Sequence, residues 1–248
     1  MITLKSAQEI ELIRKSSRIA SEVLEYLKKV IKPDVITNDL DKLSESLIIE
    51  RGGKSAFKGY RGYPSNICIS INEEVVHGIP SDRRLKEKDI VKIDIGVVKD
   101  GFYGDIAATF CVGDVHCEAK KLIEVTEKSL YLGISKVNVN NRLGDVSSAI
   151  QNFVESFNFS VVRNFTGHGI GRSLHEDPQV PNFGKSGSGI RLKNGMVFCI
   201  EPMVNIGSYE VEIKEDKWTV VTKDRSLSAH FEHTIAIVDD KAEILTKD

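Results

Sequence analysis

Four acidic residues stand in segments that are otherwise apolar. Asp94 lies in Ile90-Val91-Lys92-Ile93-Asp94-Ile95-Gly96-Val97-Val98, and Asp105 lies in the run from Phe102 to Val112. Glu201 closes Met196-Val197-Phe198-Cys199-Ile200 just before Pro202, and Glu232 stands in His230-Phe231-Glu232-His233-Thr234-Ile235-Ala236-Ile237-Val238. Aspartate is disfavoured in strands, and carboxylates are rarely buried unless paired. Asp100-Gly101 is a two-residue hairpin turn signal. That turn pairs Lys99 with Phe102 and sets Asp105 opposite Gly96, two positions from Asp94 on the same face. Diagonal neighbours of this kind lie about 7–8 Å apart, close enough for both side chains to reach one metal pair. The alternative is an edge strand with solvated aspartates, and each glutamate taken alone reads as a solvated strand-face residue.

Four carboxylates converging on a core would be too costly without cations. They balance the charge of two divalent ions. Gly167-His168-Gly169-Ile170-Gly171 brackets a histidine with small residues. Either it is an ordinary glycine turn, or close backbone approach aims His168 inward as a neutral metal ligand. Its spacing is not that of a dinucleotide-binding loop. Oxygen ligands with one imidazole suit Mn, Fe or Co, and also Zn. Two such ions acidify a bound water and polarise a carbonyl, so hydrolysis is the natural reaction class.

The elements that must position these residues alternate in kind. Ser6-Ala7-Gln8-Glu9 matches a capping box, followed by apolar residues at helical spacing up to a limit at Pro33. A second helix starts near Thr37 and ends at Gly52-Gly53. Residues 66–71, 90–98 and 102–112 read as strands, then 116–135 and 142–157 as amphipathic helices. Short strands follow at 160–164, 196–200, 209–213, 218–222, 230–238 and 243–246. The order of helices, strands, helices and strands predicts an α+β protein of two similar halves, about 1–114 and 115–248.

Composition excludes more than it assigns. The 248 residues carry 34 Lys+Arg against 36 Asp+Glu, a net charge of −2, which is no signature of direct nucleic-acid binding. The four cysteines form no C-x-x-C pair and read as reduced thiols. No signal-peptide pattern or membrane-length apolar run is present, so the sequence predicts a cytoplasmic protein.

Further motifs complete the pattern: Tyr60-Arg61-Gly62-Tyr63-Pro64, Cys68-Ile69-Ser70-Ile71-Asn72, His77-Gly78-Ile79-Pro80, His175-Glu176-Asp177-Pro178, Glu201-Pro202-Met203, Trp218-Thr219-Val220 and Ser228-Ala229-His230-Phe231-Glu232-His233-Thr234. In this order, with Asp94, Asp105 and the His168 motif, the chain resembles the methionine aminopeptidases of the short bacterial type I form along essentially its whole length. The resemblance implies a pita-bread fold, two pseudo-symmetric halves with an antiparallel sheet covered by helices around a dinuclear metal site. It implies Asp94, Asp105, His168, Glu201 and Glu232 as ligands of two divalent ions, Co, Mn, Fe or Zn. It also implies His77 and His175 as non-ligand histidines that contact substrate, and Glu201 as the proton carrier. In the implied reaction a metal-bridging hydroxide attacks the first peptide carbonyl. The products are a free N-terminal methionine and a shortened chain, with a small second residue preferred.

The same resemblance places Tyr60, Tyr63, Cys68, His77 and Trp218 around the methionine side chain. Two positions depart from the bacterial pattern: Phe57 stands where Cys is common, and Leu174 where an aromatic residue is usual. Phe57 reads equally as pocket wall or as core. Asn72 and Ser228 fall where family members often hold a monovalent ion, Na or K. Nascent polypeptide N-termini are the implied substrates, met by a monomer during transient association with ribosomes. Few residues separate Glu201 from Glu232, which excludes the helical insertion of type II members. The rival readings are a proline-specific aminopeptidase or dipeptidase, and a non-catalytic binding protein of the same fold.

Overall fold

Ser6 and Glu9 cap the first helix reciprocally. Glu9 N donates to Ser6 Oγ at 3.3 Å and Ser6 N donates to Glu9 Oε2 at 2.9 Å. A computed structural model describes residues 2–247. Its helices are α1 (Ala7–Val30), α2 (Thr37–Glu50), α3 (Cys117–Ser135) and α4 (Leu143–Glu155). The strands of the first part are β1 (Lys54–Ser55), β2 (Cys68–Ile71), β3 (Glu74–Val76), β4 (Ile90–Lys99) and β5 (Phe102–Cys111). Beyond α4 run β6 (Ser160–Val161), β7 (Gly167–Gly169), β8 (Glu176–Val180), β9 (Val197–Ile200) and β10 (Met203–Asn205). The last are β11 (Val211–Ile213), β12 (Val220–Thr222), β13 (Ser228–His230), β14 (Glu232–Val238) and β15 (Lys241–Ile244).

One antiparallel sheet runs β1-β4-β5-β14-β9-β7-β8, with β2 beside β4 and β15 beside β14. Period-two alternation decides what each face does. On β4, Val91, Ile93, Ile95 and Val97 pack with Ile19, Val23 and Leu27 of α1 and Leu40 of α2. Lys92, Asp94 and Gly96 therefore face the other way. On β9 and β14, Phe198, Ile200, Ile235 and Ile237 pack with Leu122 and Leu130 of α3 and Ile150 of α4. Glu232, Thr234 and Cys199 take the opposite face. Two helix pairs thus cover one side of a continuous sheet, and the acids lie on the uncovered side. This is the pita-bread architecture with helices on the sheet, an α+β fold.

Close backbone approach holds α1 to the sheet. A Cβ at Gly104 of β5 would lie 2.4 Å from Ser17 N, and Ser16 Oγ donates to Phe102 O at 2.8 Å.

Several predicted strands are shorter or divided. The run predicted at 230–238 breaks at Phe231. Ser228–His230 pairs with Met203–Asn205 in a separate three-stranded sheet, while Glu232–Val238 stays in the main one. The facing segment breaks too, at Glu201-Pro202, where proline has no N–H to continue the ladder. Both breaks fall beside the glutamates. The strand predicted at 160–164 contracts to Ser160–Val161, and the one at 243–246 lies at Lys241–Ile244. Trp218 belongs to a turn instead of a strand, with its N–H donating to Asp216 Oδ1 at 2.9 Å. The strands β1, β3, β7, β8 and β10 lie outside the ranges that the sequence predicts.

Candidate metal centre

The β4–β5 register sets Gly96 against Asp105 and Asp94 against Ala107, as the hairpin turn predicts. On the other side of β5, Ala107 faces Glu232 of β14. Asp94, Ala107 and Glu232 therefore form one row across three strands, with Asp105 next along. The small Ala107 side chain leaves space between the carboxylates. One ligand atom from each of Asp94, Asp105 and Glu232 lies within 4.8 Å of the others. Glu201 joins Glu232 and His230 in a second such group, and His168 joins Glu232 and Cys199 in a third.

His168 reaches this cluster from β7. A Cβ at Gly167 would lie 2.2 Å from Cys199 O, and one at Gly169 would lie 2.1 Å from Asp177 O. Only glycine lets β7 fit between β9 and β8. His168 Nδ1 lies 3.0 Å from Gly169 O. A carbonyl only accepts, so Nδ1 carries the proton and Nε2 carries the lone pair, 3.7 Å from Glu201 Oε1. That is the tautomer a metal ligand needs.

Burial, followed by the charges of Asp105 and Glu201, pushes the Asp94 carboxyl well above the ordinary range. Burial raises Asp105 to about 7. Glu201 and Glu232 are also pushed well above normal, first by burial and then by Asp105. Asp94 Oδ1 and Glu232 Oε1 have no hydrogen-bond partner among the described residues. Orphaned buried carboxylate oxygens that repel one another are what divalent cations relieve. The residues fit a pair of such ions, because the donor set is oxygen-rich, carries one neutral imidazole and balances two divalent charges.

A cavity of about 360 Å³ opens onto the cluster. Phe57, Tyr60, Tyr63, Cys68, His77, Leu174, His175 and Trp218 all line it, together with Asp94, Asp105, His168, Glu201 and Glu232. Tyr63 meets Trp218 edge-to-face at 5.1 Å between ring centroids, and its hydroxyl lies 2.9 Å from Gly78 O. Tyr60 OH lies 2.9 Å from His175 Nδ1, and the two rings stack at 5.2 Å. Burial lowers His77 to about 4 and His175 to about 3, so both are neutral near pH 7.

Three groups at the centre escaped the sequence reading. His230 is buried, and its Nε2 lies 3.5 Å from Glu201 Oε2, that ring nitrogen having no hydrogen-bond partner among the described residues. Its signal was the His230-Phe231-Glu232 spacing, but His233 obscures it by alternation. His233 faces away, its ring nitrogens near Tyr131 OH and Thr246 Oγ1. Cys199 sits two residues before Glu201, its Sγ 3.6 Å from Thr234 Oγ1. Phe165 also lines the cavity, edge-on to His77 at 5.7 Å. At Asn72 and Ser228, where the resemblance implies a monovalent ion, the backbone carbonyls instead accept from Lys92 Nζ at 2.7 and 2.9 Å. Burial lowers the Lys92 ammonium to about 7, with Glu74, Glu73 and Asp89 favouring its charged form.

The sequence matches metallopeptidase family M24 over residues 11–239. A methionine aminopeptidase of Clostridium perfringens is 52% identical over 246 residues, covering 99% of each chain. Methionine aminopeptidase 1 of Bacillus subtilis is 50% identical over 247 residues, covering 100% of both. The crystal structure of methionine aminopeptidase from Rickettsia prowazekii superposes with a TM-score of 0.98 at 44% identity, again over 100% of each chain.

Proposed function

The chain belongs to metallopeptidase family M24, and from that premise we propose that it removes the N-terminal methionine from peptides and nascent proteins by metal-dependent hydrolysis of the first peptide bond. One observation carries the reading. Asp94, Asp105, Glu201 and Glu232, the first and third half-buried and the others buried, converge beside His168 Nε2 at the end of a cavity lined with aromatic rings.

Asp94, Asp105, His168, Glu201 and Glu232 would hold two divalent ions drawn from Co, Mn, Fe and Zn. When bound, such ions supply a Lewis acid for the scissile carbonyl and an acidified water as the nucleophile. Glu201 accepts the water's proton and returns it to the leaving amine. Its carboxylate is placed for this between His168 and His230, 3.7 and 3.5 Å away. The Tyr60 hydroxyl lies 2.9 Å from His175 Nδ1; with the hydroxyl as donor there, His175 carries its proton on Nε2, where it meets the developing oxyanion. His77, neutral and held edge-on to Trp218 and Phe165, orients the substrate. The Tyr63, Trp218 and Phe57 rings suit a flexible thioether, since sulfur–aromatic contacts are favourable. The second substrate residue is small.

The enzyme acts as a single catalytic domain and a monomer, on chain ends that emerge from ribosomes in the cytoplasm. Support comes from the substrate, which exists on newly made chains. No helix among the described residues is long and apolar enough to cross a membrane.

The test uses metal-stripped protein reloaded in turn with Mn, Fe, Co, Ni and Zn. A Met-Ala-Ser peptide should be cleaved rapidly and an Ala-Pro peptide should not. Rapid cleavage of only the latter would select the proline-specific rival.

A further inference from the structure

Lys92 heads the fully buried side chains by size, 1% exposed, and the proposed reaction does not use it. It lies on β4 two positions before Asp94 on the same face, opposite Ser70 of β2 and Thr109 of β5. Its Nζ donates to two backbone carbonyls, Asn72 O at 2.7 Å and Ser228 O at 2.9 Å.

Those carbonyls come from separate segments that other bonds already fix. Asn72 closes the turn between β2 and β3 at φ 55°, its Nδ2 donating to Asp89 Oδ1 at 2.8 Å. Ile90 N donates to Asn72 Oδ1 at 3.0 Å, and Ser228 N donates to Asn72 O at 3.1 Å. Ser228 Oγ donates to Val204 O at 3.2 Å. Two carbonyl dipoles thus point at one buried spot through interactions that do not involve Lys92. Rings of backbone carbonyls are how proteins replace the hydration shell of a monovalent cation.

The position matters for the proposed site. β13 runs from Ser228 to His230, whose N and O are both bonded to Thr109 Oγ1, at 2.9 and 2.8 Å, and the chain then reaches Glu232. From Asn72 the chain runs through β3 to His77. Lys92 joins these two paths at their origin.

We propose that Lys92 is a tethered cation, filling a carbonyl-lined site that would otherwise take K or Na, and that it is a positioning residue for Glu232 and His77. The protein carries its own ion on a strand of the site, so the frame of the centre is independent of monovalent salt. The activity consequence rests on the proposed function; the ion-site consequence does not.

The experiment compares metal-loaded wild type and Lys92→Met in choline, potassium and sodium chloride at equal ionic strength. Wild type should show the same melting temperature and the same kcat/KM in all three salts. In choline, Lys92→Met should lose about tenfold in kcat/KM on Met-Ala-Ser, and K or Na should recover most of it. The same ions should raise its melting temperature by about 5–10 °C. Thallium-205 NMR should show one bound Tl ion in the variant and none in wild type. Activation or stabilisation of wild type by K or Na overturns the proposal. A Lys92→Met protein indifferent to the ions also overturns it, whether that protein is active, inactive or unfolded. If wild type cleaves no methionyl peptide, the functional reading falls, while melting and Tl binding still decide the ion site.

Discussion

The Phe57 ring lies against the bare backbone of Gly96. A Cβ at position 96 would come within 2.4 Å of Phe57 Cε1 and 3.0 Å of Cδ1. Gly96 faces Asp105 across the hairpin and stands two residues from Asp94. A glycine between the aspartates therefore lets an aromatic wall of the cavity press on the strand that carries them. Phe57 is both buried in one apolar cluster with Tyr63 and Cys68 and part of the cavity wall.

Gly96→Ala should push the Phe57 ring into the cavity. Overpacking of this kind costs about 1–3 kcal/mol, and KM for methionyl peptides should rise more than kcat falls. In a Phe57→Cys background the ring is gone, and the same substitution should cost little. Urea denaturation and steady-state kinetics on the double-mutant cycle check this. Equal costs in both backgrounds would remove the contact as the cause.

The β4–β5 hairpin was readable because local chemistry fixes it. Asp100-Gly101 sets the turn, the turn sets the register, and alternation then sets the faces. The break at Phe231 was not readable, since it depends on the partner segment breaking at Pro202. β7 is held by how closely three backbones approach around Gly167 and Gly169, which leaves no side-chain period in the sequence. Lys92 was opaque for a related reason. Its partners are backbone carbonyls 20 and 136 positions away, and a carbonyl looks the same whichever residue bears it.

Tyr60→Phe removes the hydroxyl that orients His175 while leaving the stacked ring. It should lower kcat about 3–10-fold, the value of one modest hydrogen bond, with KM and melting temperature little changed. His175→Ala should cost more, about 10²-fold in kcat, as loss of an oxyanion donor does. If Tyr60→Phe raises KM and leaves kcat unchanged, the orienting role is wrong and Tyr60 acts in binding.

Glu201→Gln keeps the side-chain shape and removes the proton acceptor. Turnover should fall by about 10²–10⁴-fold, the range for a lost general base. Calorimetric metal titration of the same variant separates this from a lost ligand. Near-normal turnover at saturating metal would take the proton-transfer role from Glu201.

Metal removal should make stability depend on pH with a definite sign. In the stripped protein Asp94, Glu201 and Glu232 titrate well above the ordinary range and Asp105 at about 7, burial being the first cause in each case. Unfolded carboxyls titrate near about 4. Between these values the folded state binds more protons than the unfolded one, so the stripped protein loses stability as pH rises from about 4 through 7. Divalent ions require the ionised carboxylates, so their stabilisation grows over the same window. The melting-temperature gap between loaded and stripped protein should widen from about pH 5 to pH 8, measured by calorimetry in a non-chelating buffer. A constant or narrowing gap would mean that these four carboxylates are not what the metal ions hold.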